Sequence, residues 1–139
     1  MIGVSALGNR SEKSGYSNYG VPANDVAAPG GNGTTGDCRT TILSTLPAGA
    51  YGCIQGTSMA SPHATGGRGA HGEPVRQGRQ VGDVQLSPTV VEQKLKQTAV
   101  DIGVKGYDTC FGNGRIDALR AVQNDTATTY DGSAPFCPE

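Results

Sequence analysis

The chain has 139 residues and a formal net charge of −1, with 22 Gly, no Trp, two Phe and five Tyr. That length sets one domain as the prior, and the scarcity of large apolar residues predicts a thin core. The charge gives no reason to expect nucleic acid or an anionic membrane as partner, no apolar stretch is long enough to span a bilayer, and the N-terminus lacks the basic and apolar regions of a signal peptide.

In chain order, Ile2–Leu7 alternates enough for a strand, and Val26–Ala28 reads as a short buried strand running into Pro29 and Gly30. Gly30–Asp37 is a turn-rich surface loop without the Gly-Lys-Ser/Thr of a phosphate loop, which argues against nucleotide binding. Thr41–Leu46 and Tyr51–Gln55 are expected to form a hairpin that turns through Pro47, Ala48 and Gly49. Ser87 can cap a helix with Pro88 at its first position, running through about Thr98 with Val91, Leu95 and Thr98 on one face. Arg115–Val122 reads as a final helix with Ile116, Leu119 and Val122 inward. The tail Gln123–Glu139 has the Pro, Gly, Thr and Asp content of a poorly ordered end. No internal repeat is visible.

Residues 56–63 read Gly-Thr-Ser-Met-Ala-Ser-Pro-His. A serine hydroxyl is a weak nucleophile unless it is exposed, fixed in direction and paired with a base. The run reads as a loop entering a helix at Ser58, where free N–H groups and the helix dipole favour a developing oxyanion. Gly56 is expected to take a path on which a Cβ would clash. Pro62 is expected to fall in the first helical turn, where its missing N–H costs little. A Ser/Thr cap on a small-residue helix is the plain alternative for a lone Gly-x-Ser, and eight matched positions weigh against it.

This octapeptide resembles the nucleophile motif of the subtilisin-like (S8) serine peptidases. Gly15–Gly20, Asp25–Gly30 and Ile42–Pro47 are similar to the family's FSNYG, DVAAPG and ILSTLP stretches, in the family's order. Leu86–Pro88, Leu95–Ala99 and Gly112–Ala118 are similar to its C-terminal helices and their connecting turn. The resemblance spans residues 2–64 and 86–122. It implies an α/β fold, a partial subtilisin-like three-layer fold with a mostly parallel sheet and its N-terminal half missing. On this reading residues 1–122 are the C-terminal part of the peptidase domain and 123–139 a tail.

The resemblance makes Ser58 the catalytic candidate, with Gly56, Thr57 and Ser58 forming the nucleophile and oxyanion loop. It implies a peptide or protein substrate and no cofactor; the structural calcium of the full-length family has no assignable ligands in this sequence. In the family's order aspartate and histidine precede the serine, so both, with the oxyanion asparagine, are expected before Met1. His63 lies five positions after Ser58, not a facing pair on a helix, and is assigned a structural role. His71 sits where no family match exists. Asp25 and Asp37 read as turn and strand-end carboxylates.

The cysteines Cys38, Cys53, Cys110 and Cys137 include no close pair, so zinc is not expected. An even count in a family of secreted enzymes favours disulfides. Cys38 and Cys53 flank the expected hairpin, which leaves Cys110 and Cys137 for each other; free buried thiols are the alternative. Asn9, Asn32 and Asn124 each begin an Asn-x-Ser/Thr sequon, meaningful only in a glycosylating host.

Segment 66–85 departs from this pattern. The family's long apolar helix is expected to continue from the nucleophile, but here Gly66, Gly67, Gly69 and Gly72, with Arg68, Arg76, Arg79 and Pro74, oppose a buried helix. The helix is therefore expected to begin near Ser58 and fail before about Glu73, uncovering apolar residues near Val4, Val26 and Ile42. Reading the codons of Gly67–Gln77 one base later permits Ala-Ala-Ala-Leu-Met-Val-Ser-Gln-Tyr-Gly-Lys, which resembles the family's helix. Two compensating frame errors, near Gly66 and before Leu86, account for this; a true insertion is the alternative. Two functions follow. One is a serine endopeptidase acting through an acyl-enzyme on Ser58, its parent secreted and this chain alone inactive. The other is a non-catalytic remnant or secreted binding module.

Overall fold

The computed structural model describes residues 1–34, 36–70, 87–134 and 137. Strands β1 (Val4–Leu7) and β2 (Val26–Pro29) lie parallel, with Val4 opposite Val26 and Leu7 opposite Pro29. A hairpin follows, in which β3 (Ile42–Thr45) pairs antiparallel with β4 (Tyr51–Ile54). Helix α1 (Thr57–Ala70) leads from it, then α2 (Pro88–Gln97), β5 (Asp101–Ile102), α3 (Ala118–Gln123) and β6 (Tyr130–Asp131). β5 and β6 form a further parallel pair.

Strands buried on both faces are mostly apolar; here they are also small, and β1 carries one buried polar residue, Ser5. On one face Ala6 and Ala28 meet Ala60 and Ala64 of α1, with Val4 and Ile116 at the margin. The i, i+4 spacing of the two helix alanines puts them on one stripe, and methyl-sized side chains let the helix lie close to the sheet. The opposite face carries Leu7 and Ala27 against Val100, Ile102, Cys110, Phe111 and Ala134. Phe111, Leu7 and Ile102 are fully buried, each contributing roughly 1.5–3 kcal/mol. The result is three layers: α1, the strands, and the segment after α2.

Asp25, immediately before β2, joins the layers. Its Oδ2 accepts from the Gly3 N–H at 2.8 Å, and its Oδ1 lies 2.7 Å from Lys96 Nζ of α2. Its carbonyl accepts from both the backbone and the side chain of Asn113. The α2 entry follows the sequence: the Ser87 hydroxyl accepts from the Val90 N–H with Pro88 in the first turn, and Leu95 and Thr98 are buried.

Three expectations are corrected. The last helix starts at Ala118, not Arg115, because Asp117 is its cap and holds an extended backbone while its Oδ1 accepts from the Arg120 N–H. Arg115 instead exchanges backbone hydrogen bonds with Val100, and its neighbours Gly114 and Ile116 bond Ala27. With the helix displaced, Ala121 faces inward, while Leu119 and Val122 are 65% and 55% exposed. The tail is docked as far as Ala134, which is buried, and Tyr130 pairs with Asp101. The sheet is also covered at Val26, which is fully buried.

Helix α1 runs through Gly66 and Gly67 to Ala70. Gly67 is buried, and a Cβ there would meet Leu95 Cδ1 at 3.3 Å and Ile116 Cδ1 at 3.9 Å. Packing against α2 thus offsets the weak propensity of this turn. The expected failure before Glu73, and the 71–85 part of the aberrant segment, lie outside the described residues.

Candidate active site

β4 delivers the chain into the loop at Gln55 and Gly56, and that loop is tied to the turn after β2. The Gly56 N–H donates to the Gly30 carbonyl at 3.0 Å, and the Gln55 side chain accepts from the Gly33 N–H at 2.8 Å. The Gly30 and Gly31 N–H groups both donate to the Leu7 carbonyl at the end of β1. From Gly56 the helix starts at once, its carbonyl accepting from the Met59 and Ala60 N–H groups. Ser58 is therefore the second residue of α1, where no i−4 carbonyl inside the helix is available to its N–H. Its side chain is exposed.

The helix register alters the reasons for two motif residues. With α1 beginning at Thr57, Pro62 falls in the second turn. Its missing N–H is the one that would have bonded the Ser58 carbonyl. A Cβ on Gly56 would find its nearest neighbour, Met59 Sδ, at 3.4 Å, which is ordinary contact. The crowding is at Gly30, where a Cβ would lie 2.6 Å from Ala6 Cβ and 2.8 Å from the Gly56 carbonyl oxygen. Gly30 was read as the end of the DVAAPG-like stretch and the start of a loop, without a packing role; its position directly after a buried strand was the available signal.

Among the described residues nothing hydrogen-bonds the Ser58 hydroxyl. His63 is exposed, and its Nδ1 donates to the Met59 carbonyl one turn back at 2.8 Å. His71 lies outside the described residues. Asp25 serves Lys96 and Gly3, and Asp37 accepts from the Arg39 N–H within its own turn. A groove of about 330 Å³ opens beside Ser58, walled by Leu43, Leu46, Ile54, Met59 and Pro62.

Disulfides join Cys38 to Cys53 and Cys110 to Cys137, with Cα separations of 5.2 and 5.9 Å. The first ties the loop after β2 to β4, three residues ahead of Gly56. Among the described residues no three His, Cys, Asp or Glu side chains come together in a way that would hold a metal ion. No helix among them is long and apolar enough to cross a membrane.

The chain that carries this serine is similar to known proteins over most of its length. The model of the Subtilase family (Peptidase S8) matches residues 1–114. Halolysin of Haloferax mediterranei is 37% identical over 95% of the chain, and the halolysin-like extracellular serine protease Nep of Natrialba magadii is 37% identical over 90%. The solved structure of a protease from Pseudoalteromonas arctica superimposes with a TM-score of 0.69 at 32% identity over 88% of the chain. The chain belongs to the subtilase family of serine proteases. It spans 24%, 19% and 35% of these three proteins' lengths.

Proposed function

We propose that this chain is the nucleophile-bearing part of a secreted subtilisin-like serine endopeptidase. Ser58 attacks the scissile carbonyl, its own N–H helps hold the oxyanion, and water hydrolyses the resulting acyl-enzyme. The general base and its orienting carboxylate come from a segment outside these 139 residues, so the chain alone is inactive. The observation that carries this reading is Ser58 itself, exposed at the second position of α1, its N–H without a partner among the described residues. Its side chain borders a groove of peptide-accommodating size. His63 lines the same groove, but its Nδ1 is held by the Met59 carbonyl one turn back, which supports the inactivity of the isolated chain. Two disulfides and an extracellular relative support a secreted parent.

A serine-directed fluorophosphonate tests this. The purified chain is expected not to react. Fused behind the part of halolysin that precedes the matched region, it is expected to label at Ser58 and to lose the label in Ser58→Ala. Loss of a single triad member costs up to about 10⁶ in turnover, so the contrast is large. Labelling of the isolated chain overturns the missing-partner reading. Failure of the folded fusion to label favours the second reading, a non-catalytic remnant or binding module.

A further inference from the structure

Tyr16 lies in the connection between β1 and β2, well separated from Ser58 in sequence and 39% exposed. Its hydroxyl sits 2.7 Å from the Gly30 carbonyl oxygen and 2.5 Å from that of Gly31. A carbonyl oxygen accepts only, so the single phenolic proton is shared between these two. The Gly30 oxygen is the same atom that accepts the Gly56 N–H. A Cβ built on Gly30 would lie 2.8 Å from the Gly56 oxygen and 3.2 Å from Tyr16 Oη. Gly30 is thus held between the phenol and the nucleophile loop. Gly31 is held independently, because the Ser14 hydroxyl donates to its carbonyl at 2.7 Å.

We infer that Tyr16 is a positioning residue for the Ser58 loop, acting through the Gly30 carbonyl. Gly56 is fixed at both ends: its N–H by Gly30, and its carbonyl by the first turn of α1. Two residues later the chain presents the Ser58 N–H and hydroxyl. With the phenolic donor in place, the Gly30 oxygen accepts from Gly56 and takes part of a proton it shares with the Gly31 oxygen, which narrows the directions in which it meets Gly56. Without it, water takes the vacant lone pair and the Gly30–Gly56 bond gains freedom. Nothing in the phenol touches the reacting atoms, so its contribution is orientation alone. That contribution matters because displacement of a reacting group by an ångström can cost about a hundredfold in rate.

The inference rests on Ser58 as nucleophile for its functional meaning, but its first test does not. Amide hydrogen exchange is measured residue by residue on the intact chain and on Tyr16→Phe, which keeps the ring and removes the donor. The Gly56 N–H is expected to exchange about three- to tenfold faster in the variant, the range set by one net hydrogen bond. The amides of β1 and β2 and the urea midpoint are expected to hold. Ser14→Ala is the control, since its hydroxyl serves Gly31 and not Gly30. Unchanged exchange at Gly56 overturns the inference, as does a uniform rise across all amides in Tyr16→Phe, or an equal rise at Gly56 in Ser14→Ala. In the fused enzyme Tyr16→Phe is expected to lower kcat with KM unchanged. If the fusion never labels at Ser58, the functional proposal fails while the exchange result stands.

Discussion

A methyl group at Gly30 has no room. It would meet Ala6 Cβ at 2.6 Å and the Gly56 carbonyl at 2.8 Å, both on backbone-anchored partners rather than flexible side chains. Gly30→Ala is therefore expected to destabilise the chain by about 2 kcal/mol, within the range for forcing atoms into a packed interior. A urea midpoint equal to that of the parent would refute this. Lys96 gives a pH signature. The Asp25 carboxylate first, and Glu92 second, hold its ammonium above the usual lysine value of 10.5. A raised pKa means the bridge's contribution is whole below 10.5 and is lost as pH climbs past the folded value. The stability difference between the parent and Lys96→Gln is expected to persist from neutral pH to about pH 10 and then to close. A difference that shrank on acidification from neutrality to pH 6 would contradict the assignment. At this scale the sequence announced Ser58, because an eight-residue motif ties its position to a loop–helix junction. It did not announce Tyr16 or Gly30. Tyr16's role depends on contacts across two turns, which no local pattern encodes, whereas the place of Gly30 directly after a buried strand was a local signal.

Secondary elements were legible where local chemistry decided them. Ser87 and Pro88 begin α2 as their cap and first-turn preferences require, and the hairpin turns at Pro47–Gly49. Arg115–Val122 failed because a three-residue apolar period was taken as the helix signal, when the capping carboxylate of Asp117 sets the start. The docked tail was invisible because β5 and β6 are two residues each and pair across more than two dozen positions. The hairpin turn holds a local cost: Ala48 sits at φ 61°, and the left-handed region costs an L-residue roughly 1–2 kcal/mol. Ala48→Gly is expected to raise stability by about 0.5–1 kcal/mol after its greater unfolded freedom is subtracted. A drop in thermal midpoint would show the turn is not strained. For segment 66–85, we propose two compensating frame errors. Independent resequencing across the codons of Gly66–Leu86 is expected to find them, and an intact frame removes the idea.

Over the whole molecule, the small-residue sheet explains why so few bulky side chains suffice. Ala6, Ala28, Ala60 and Ala64 close one interface with methyl groups, leaving Phe111, Leu7 and Ile102 to fill the other. The layer order was readable from the family resemblance. How well the sheet is covered was not, since loss of the helix was expected to uncover Val26, which lies fully buried. Apolar side chains do stand open at Leu43, Tyr51, Leu119 and Val122. They line the hairpin and the outer side of α3, away from the closed interfaces.

The bond between Cys110 and Cys137 has a consequence for survival among proteases. It encloses β5's partner strand, α3 and the exposed stretch Thr126–Thr129 in one covalent ring, with Cys110 itself buried. A single cut inside that ring severs the backbone without freeing either piece. β6 then stays tethered beside Asp101 at a local concentration set by the tether and not by dilution. Limited digestion at Thr126–Thr129 is expected to leave a species that migrates as one chain until a reductant is added, then as two. Immediate release of a C-terminal peptide in the absence of reductant would show the ring is open. A chain closed this way keeps its cut ends together after a nick at this exposed stretch and loses the C-terminal piece only where the surroundings turn reducing.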